Sequence, residues 1–299
     1  MKVNYALMSL FLFLNLPSVV SSQGINDVKP CINFIYLPDA KGELVPNGTG
    51  FFIGVTDTVR RITFVYIVTA KHVLWDSTTK TFVPYGWLRL NRKGGDAAFV
   101  RFTMNTSGAM KNVFIHPDTT VDLVVIQGLP DQEKYDFDVF PSQLIRTTDD
   151  LKRIGLGEGS DVFIPALFLP HIGEHQNYPI VRFGKLALLS GGERIKWGDQ
   201  MQRLHLIESI SIGGHSGAPV FVWFEPRHKQ GDLISYEEKL IRLIGVMQGY
   251  FGEVRSIGII KTSVTPVYES NTGISAVVPV DLLNEILFGI EMTKARIEQ

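Results

Sequence analysis

Residues 213–220 read Gly213-Gly214-His215-Ser216-Gly217-Ala218-Pro219-Val220, a glycine-rich turn that carries one serine and runs straight into a β-rich segment. The same alternation of turn and strand recurs along the chain. Runs at 50–55, 62–70, 121–127, 181–190, 218–224 and 240–247 are rich in Val, Ile, Phe, Thr and Tyr, and Gly, Pro, Asn or Asp punctuate them. Long helical periodicity is absent between residues 31 and 280, so an all-β barrel or sandwich is expected. The C-terminus breaks the pattern. Leu282, Leu283, Ile286, Leu287 and Ile290 recur at helical spacing, with Glu285 and Glu291 off that face and Asp281 after Pro279 as a cap. This predicts an amphipathic α-helix docked on the body, and its polar face is too poor in Lys and Arg for a membrane-surface role.

A length of 299 residues suits one large domain or two small ones. Lys plus Arg number 29 against 30 Asp plus Glu, a balance that argues against nucleic acid as a partner. At the N-terminus, Lys2 precedes an apolar run at 6–20, and Val20-Ser21-Ser22 fits a small-x-small cleavage pattern before Gln23. Asn15 and Pro17 interrupt the run, which is shorter than the roughly 20 residues of a bilayer span. The expectation is a signal peptide at 1–22 and an exported (periplasmic or secreted) chain with no stable membrane insertion after cleavage. Cys31 is the only cysteine, so no intrachain disulfide is available, and Val28-Lys29-Pro30 before it does not look like a lipoprotein processing site. An exported, disulfide-free chain of this size points toward bacteria.

Three short motifs carry chemistry. Tyr66-Ile67-Val68-Thr69-Ala70-Lys71-His72 is a β-run ending in histidine, Val121-Asp122-Leu123-Val124-Val125-Ile126 is an aspartate heading an apolar run, and Ser216 lies in the glycine turn. Taken singly, a strand-end histidine is usually structural, and an aspartate or serine at a turn is usually just a turn residue. Together they form a set. A serine hydroxyl needs a base during attack, imidazole supplies one near neutral pH, and a carboxylate on the far ring nitrogen fixes the tautomer. Glycines around the serine allow successive N–H groups to point at one spot, where an oxyanion can bind.

Thr-Ala-x-His, Asp-Leu-x-Val and Gly-x-Ser-Gly-x-Pro, in this order, resemble the chymotrypsin-like (trypsin-like) serine proteases, closest to the disulfide-free bacterial trypsin-like peptidase domains. The intervals agree, with 50 residues from His72 to Asp122 and 94 from Asp122 to Ser216. Gly48-Thr49-Gly50-Phe51 resembles the family's first barrel strand and His116-Pro117 its lead into the aspartate strand. Pro179-Ile180-Val181-Arg182-Phe183-Gly184 resembles the opening of its second barrel, and Gly273-Ile274-Ser275-Ala276-Val277-Val278-Pro279 its last strand. The likeness covers roughly residues 45–290. It implies two antiparallel β-barrels packed around a cleft, followed by a C-terminal α-helix. The division would be a signal peptide at 1–22, a barrel with His72 and Asp122 at 23–145, a barrel with Ser216 at 146–280, and the helix at 281–299. The charged segment 131–159 would connect the barrels. By the same resemblance His72 is the general base, Asp122 its orienter and Ser216 the nucleophile, with the N–H groups of Gly214 and Ser216 as oxyanion hole. The substrate would be an extended polypeptide paired with a strand edge, cut through an acyl-enzyme without metal or other cofactor.

Two departures from the family stand out. Where digestive members carry an aspartate before the serine, this chain has His215, and no Ile-Val-Gly-Gly-like start follows the signal peptide. The site is therefore expected to be preformed or ordered by some other event. Ile210, six residues before the serine, would lie at the base of the specificity pocket, with Met247, Gln248 and Gly249 along one wall. That composition predicts an apolar preference next to the scissile bond. No length remains past residue 299 for an appended peptide-binding domain, so regulation through one is not expected.

Other signals are weaker. His171-Ile172-Gly173-Glu174-His175 has the H-x-x-E-H spacing of a zinc-peptidase group, but Pro170, Gly173 and Pro179 disfavour the helix that chemistry needs. Gly155-Leu156-Gly157-Glu158-Gly159 lacks the lysine of a phosphate loop, and Asn47-Gly48-Thr49 and Asn105-Thr106-Ser107 match glycosylation sequons by pattern alone. Two alternatives to a peptidase stay open: a protease-like binding module with little turnover, and an esterase on the same three residues.

Overall fold

The β-branched and aromatic runs become strands because such side chains pack well on a pleated, half-buried surface, while the Gly, Asn and Asp between them turn the chain. The computed structural model describes residues 24–224, 240–256 and 267–298, and the expected signal segment at 1–22 lies outside these. The first unit contains β1 (Ile32–Pro38), β2 (Leu44–Asp57), β3 (Ile62–Thr69), β4 (Tyr85–Arg92), β5 (Gly95–Thr103), β6 (Val113–Ile115) and β7 (Val124–Gln127). With two short bridges they form a nine-stranded sheet in which β4, β1, β2, β3, β7 and β6 are successive neighbours and β5 pairs with β4. Ile35, Phe52, Ile67, Leu88, Phe102, Val113 and Ile126, one from each of these strands, share a single buried cluster. The sheet therefore curls around its own core.

The second unit contains β8 (Asp161–Ala166), β9 (Ile180–Leu188), β10 (His205–Glu208), β11 (Pro219–Phe224), β12 (Leu240–Ser256) and β13 (Val267–Pro279). These close into a six-strand antiparallel barrel in the order β8, β9, β10, β13, β12, β11. Ile164, Leu186, Ile207, Val220, Ile244 and Met247 fill it. A further buried cluster joins the units, with Phe34, Phe51 and Tyr66 from the first and Phe163, Leu243 and Val278 from the second. At its centre the Phe221 ring lies 5.3 Å from Phe140 and 5.3 Å from Phe163. The architecture is thus the expected all-β one, a closed barrel beside a curled sheet, ending in helix.

The C-terminal helix differs from expectation in two details. α2 (Val280–Leu287), which follows the shorter α1 (Thr148–Arg153), buries Leu282, Leu283, Ile286 and Leu287 and then stops. Gly289 caps a separate α3 (Ile290–Ile297), and this break turns Ile290 out to 90% exposure, off the apolar stripe. Asp281 does not cap its own helix either. Its carboxylate accepts hydrogen bonds from the Thr148 N–H at 3.0 Å and from the Thr148 hydroxyl, so it satisfies the start of α1 and ties the inter-unit segment to the C-terminus.

The H-x-x-E-H segment is a loop. His171 stacks on Tyr178, and His175 faces Asp96 at 3.1 Å. Buried Arg89 clamps the loop to the first sheet by donating to the Gly173 carbonyl (2.8 Å), the Glu174 carbonyl (3.0 Å) and the Asn177 side chain (2.7 Å).

Candidate active site

After β3 the chain tightens into one 3₁₀ turn, Lys71–Val73, that carries His72. β3 pairs antiparallel with β7, Thr69 opposite Val124, so the residues just ahead of β7 come to lie beside this turn. Asp122 is among them. Its Oδ1 accepts the His72 backbone N–H at 2.9 Å and its Oδ2 sits 2.6 Å from His72 Nδ1. Lys71 N–H also donates to the Asp122 carbonyl, at 3.3 Å. This two-point contact orients the imidazole, places its proton on Nδ1, and leaves Nε2 as an acceptor. The aspartate side chain is 11% exposed and the histidine 49%. Loss of hydration pulls the His72 pKa down, but the hydrogen bond and negative charge of Asp122 outweigh it, and the pKa stands above the ordinary 6.5.

Ser216 comes from the second unit. Its turn bends at Gly214 (φ +94°) and Gly217 (φ +84°), both in the left-handed region. Glycine is obligatory at 217 for a second reason, since a Cβ there would collide with Thr69 Oγ1 and the Thr49 carbonyl. His215 N–H donates to Ile212 (3.2 Å), Gly217 N–H to Met247 (2.8 Å) and Ala218 N–H to His215 (3.0 Å), each to a backbone carbonyl. Among the described residues, the N–H groups of Gly214 and Ser216 have no such partner. The Ser216 hydroxyl donates to the Gln248 carbonyl at 3.2 Å. It is therefore not paired with His72, and of the three expected side chains only His72 and Asp122 are hydrogen-bonded to each other.

A cavity of about 400 Å³ opens beside His72, lined by Lys71, Thr119, Thr120, Asp122, Trp197, Gln200, Gln202 and Gln248. Of the residues expected along the specificity pocket, Ile210 and Met247 do not line this cavity. Met247 is fully buried in the barrel core, and Ile210 is 56% exposed, its carbonyl accepting from Arg182 at 2.7 Å. Gln248 does line the cavity and donates to Gln202 Oε1 at 2.9 Å. Gly249 packs near Trp197, whose ring a Cβ at 249 would approach to 3.3 Å. Both faces of the β12 segment 246–248 are buried, one in the barrel and one against the first unit or cavity, so strand alternation does not separate wall from core.

His215 lies beneath the turn. Its Nδ1 accepts from Ile212 N–H at 3.3 Å, and its Nε2 has no partner among the described residues. Burial first, and then the charge of Arg182, push its pKa down to about 4, so the ring is neutral near pH 7.

Three residues of this region were not singled out from sequence. Trp197 and Gln202 sit on a hairpin of two three-residue strands, Ile195–Trp197 and Gln200–Gln202, too short for a periodic signal; the Gly198-Asp199 turn between them is the available cue. Thr49 sits inside the Gly-Thr-Gly run of β2, fully buried against the Ser216 turn.

No protein-family model matches the chain, and no curated protein matches it. Among solved structures it is similar to the thermostable serine protease AL20 from an extremophilic microorganism (11% identity, 86% of this chain and 94% of that one, TM-score 0.42). It is also similar to Deg5 (16% identity, 87% and 91%, TM-score 0.41). A third is the inactive form of a mutant of Rv3671c from M. tuberculosis H37Rv (12% identity, 89% and 90%, TM-score 0.42).

Proposed function

We propose that the chain is an exported serine endopeptidase in which Ser216 attacks, His72 acts as general base and then general acid, and Asp122 orients His72. The observation that carries this is the two-point grip of Asp122 on His72, which leaves Nε2 unengaged on a half-exposed ring lining a cavity that Gln248 also lines. For its hydroxyl to donate to Nε2, the Ser216 side chain would have to leave the Gln248 carbonyl and turn toward His72; such bonds are often unformed without substrate. Attack on the scissile carbonyl then passes the serine proton to Nε2 and makes a tetrahedral oxyanion, for which the unpartnered N–H groups of Gly214 and Ser216 are the donors. Collapse breaks the C–N bond as His72 returns the proton to the leaving amine. Water, deprotonated by His72, releases the acyl group and regenerates the serine. No step calls on a metal or organic cofactor.

One observation favours a second function, a binding module with little turnover: the Ser216 hydroxyl is engaged by Gln248 rather than by a base. Labelling residues 23–299 with a fluorophosphonate, beside Ser216→Ala, separates the two. An adduct located on Ser216 by mass spectrometry and absent from the variant is the expected result. A folded protein that takes no label would overturn the peptidase. Comparing turnover of matched peptide and ester substrates then distinguishes an endopeptidase from an esterase.

A further inference from the structure

Thr49 is a first-unit residue whose every polar group faces the second unit's site or its own support. Its N–H donates to the Ser216 carbonyl at 2.9 Å, and its hydroxyl donates to the Gly214 carbonyl at 2.6 Å. The same hydroxyl oxygen accepts from Leu167 N–H at 3.0 Å, and the Thr49 carbonyl accepts from the Thr69 hydroxyl at 2.7 Å, three residues ahead of His72. The side chain is fully buried, so these contacts are shielded from bulk solvent.

The consequence lies in which peptide groups are held. The peptide joining Gly214 to His215 is fixed at both ends, its carbonyl by Thr49 and its N–H by the Ile212 carbonyl. The peptide joining Ser216 to Gly217 is fixed likewise, by Thr49 and by the Met247 carbonyl. The peptides that alternate with them carry the N–H groups of Gly214 and Ser216, which have no partner among the described residues. Two left-handed glycines make this alternation sterically possible, but they do not select it. The carbonyl anchors do.

We propose that Thr49 is the positioning residue for the oxyanion site: its hydroxyl and N–H hold alternate carbonyls of the serine turn toward the first unit, and so aim the Gly214 and Ser216 N–H groups at the reacting carbonyl. This rests on the peptidase function proposed above. Thr49 touches no substrate and acts only through the turn. Its loss should therefore lower kcat and leave KM and the His72 titration alone.

The test compares wild type, Thr49→Val and Thr49→Ser for peptide hydrolysis, its pH profile, and the rate of fluorophosphonate labelling. Thr49→Val keeps shape and loses the hydroxyl. It should lower kcat and the labelling rate together by about 10²-fold, the usual effect of losing one oxyanion donor, with KM within about twofold and the acidic midpoint unmoved. Thr49→Ser, which restores the hydroxyl, should recover most of the rate. If Thr49→Val fails to fold, Thr49→Ala, with room for a water beside the Gly214 carbonyl, serves in its place. A valine (or alanine) variant that labels as fast as wild type, or a serine variant as slow as valine, overturns the role of Thr49 while leaving the peptidase standing. Wild-type protein that takes no label overturns both.

Discussion

His72 and Asp122 sit at the ends of two hydrogen-bonded strands of one sheet, whereas Ser216 sits in the neighbouring barrel and meets the first unit through Thr49 and a layer of aromatic rings. The first pair is assembled by strand register: once β3 and β7 align at Thr69 and Val124, Asp122 has little choice but to face the turn that holds His72. The serine turn is held within its own barrel by the Ile212, His215 and Met247 carbonyls, but no strand ladder ties it to His72. Its placement depends on how two independently filled cores pack, and on a few hydrogen bonds that cross between them. A register is specified by many ladder bonds and resists small changes, while a cross-unit alignment can be disturbed at one or two points.

Breaking the first half should have the largest effect. Asp122→Asn should retain the fold but present the wrong hydrogen-bonding partner to Nδ1, lowering kcat by about 10⁴-fold. It should also move the acidic limb of the pH profile. With His72 as the proposed base the ring must be neutral to act, and Asp122 holds its pKa above 6.5 despite the loss of hydration; activity should fall as pH drops through a midpoint above 6.5. In the asparagine variant that midpoint should shift downward, which steady-state rates across pH would record.

Loosening the second half should act through stability and alignment. Phe221 is buried between Phe140 and Phe163, and Phe221→Ala should cost about 3–5 kcal/mol in urea denaturation. The fraction that remains folded should also turn over more slowly, because the same layer packs the unit that carries Ser216 against the unit that carries His72. A variant that loses stability yet keeps full activity per folded molecule would show that the alignment survives without the aromatic layer.

The barrel should also be the acid-sensitive part. His205 is buried in the second unit, where desolvation, and less strongly Lys152, push its pKa to about 4 against an opposing pull from Asp281; His215 is likewise near 4. The folded state refuses protons that the unfolded state accepts below 6.5. Stability is therefore complete above 6.5 and is lost as pH falls toward 4, by up to about 3 kcal/mol for each ring. His205→Gln, which can still accept from Ser190 N–H as Nδ1 does at 3.1 Å, should remove about half of this acid slope. An unchanged slope would locate it elsewhere. The smallest effect belongs to the exposed inter-unit ion pair of Arg194 with Asp118 at 2.9 Å: Arg194→Ala should change stability by less than about 1 kcal/mol, and less still at high salt.

Much of this was legible in the residues. The strands announce themselves through β-branched and aromatic runs between turn formers, and the motifs pair His72 with Asp122, which lie 2.6 Å apart in the structure. The C-terminal stripe was legible too, up to the point where Gly289 breaks it and exposes Ile290. That Gln248 rather than Met247 lines the cavity beside His72 was not. Val246, Met247 and Gln248 are all buried, so polarity along β12 could not tell the barrel interior from the cavity.

The chain's local chemistry specifies where strands and turns fall, because side-chain packing on a pleat and glycine's access to left-handed backbone act over a few residues. It also supplies His72, Asp122 and Ser216 and the order in which they occur. How the serine turn is aimed came from packing of the two units. Thr49 reaches Gly214 across 165 residues of chain, and Trp197, Gln202 and Gln248 line one cavity from separate strands. Contacts of that span have no periodicity to betray them, since they arise only when two cores, each satisfied within itself, come to share a boundary.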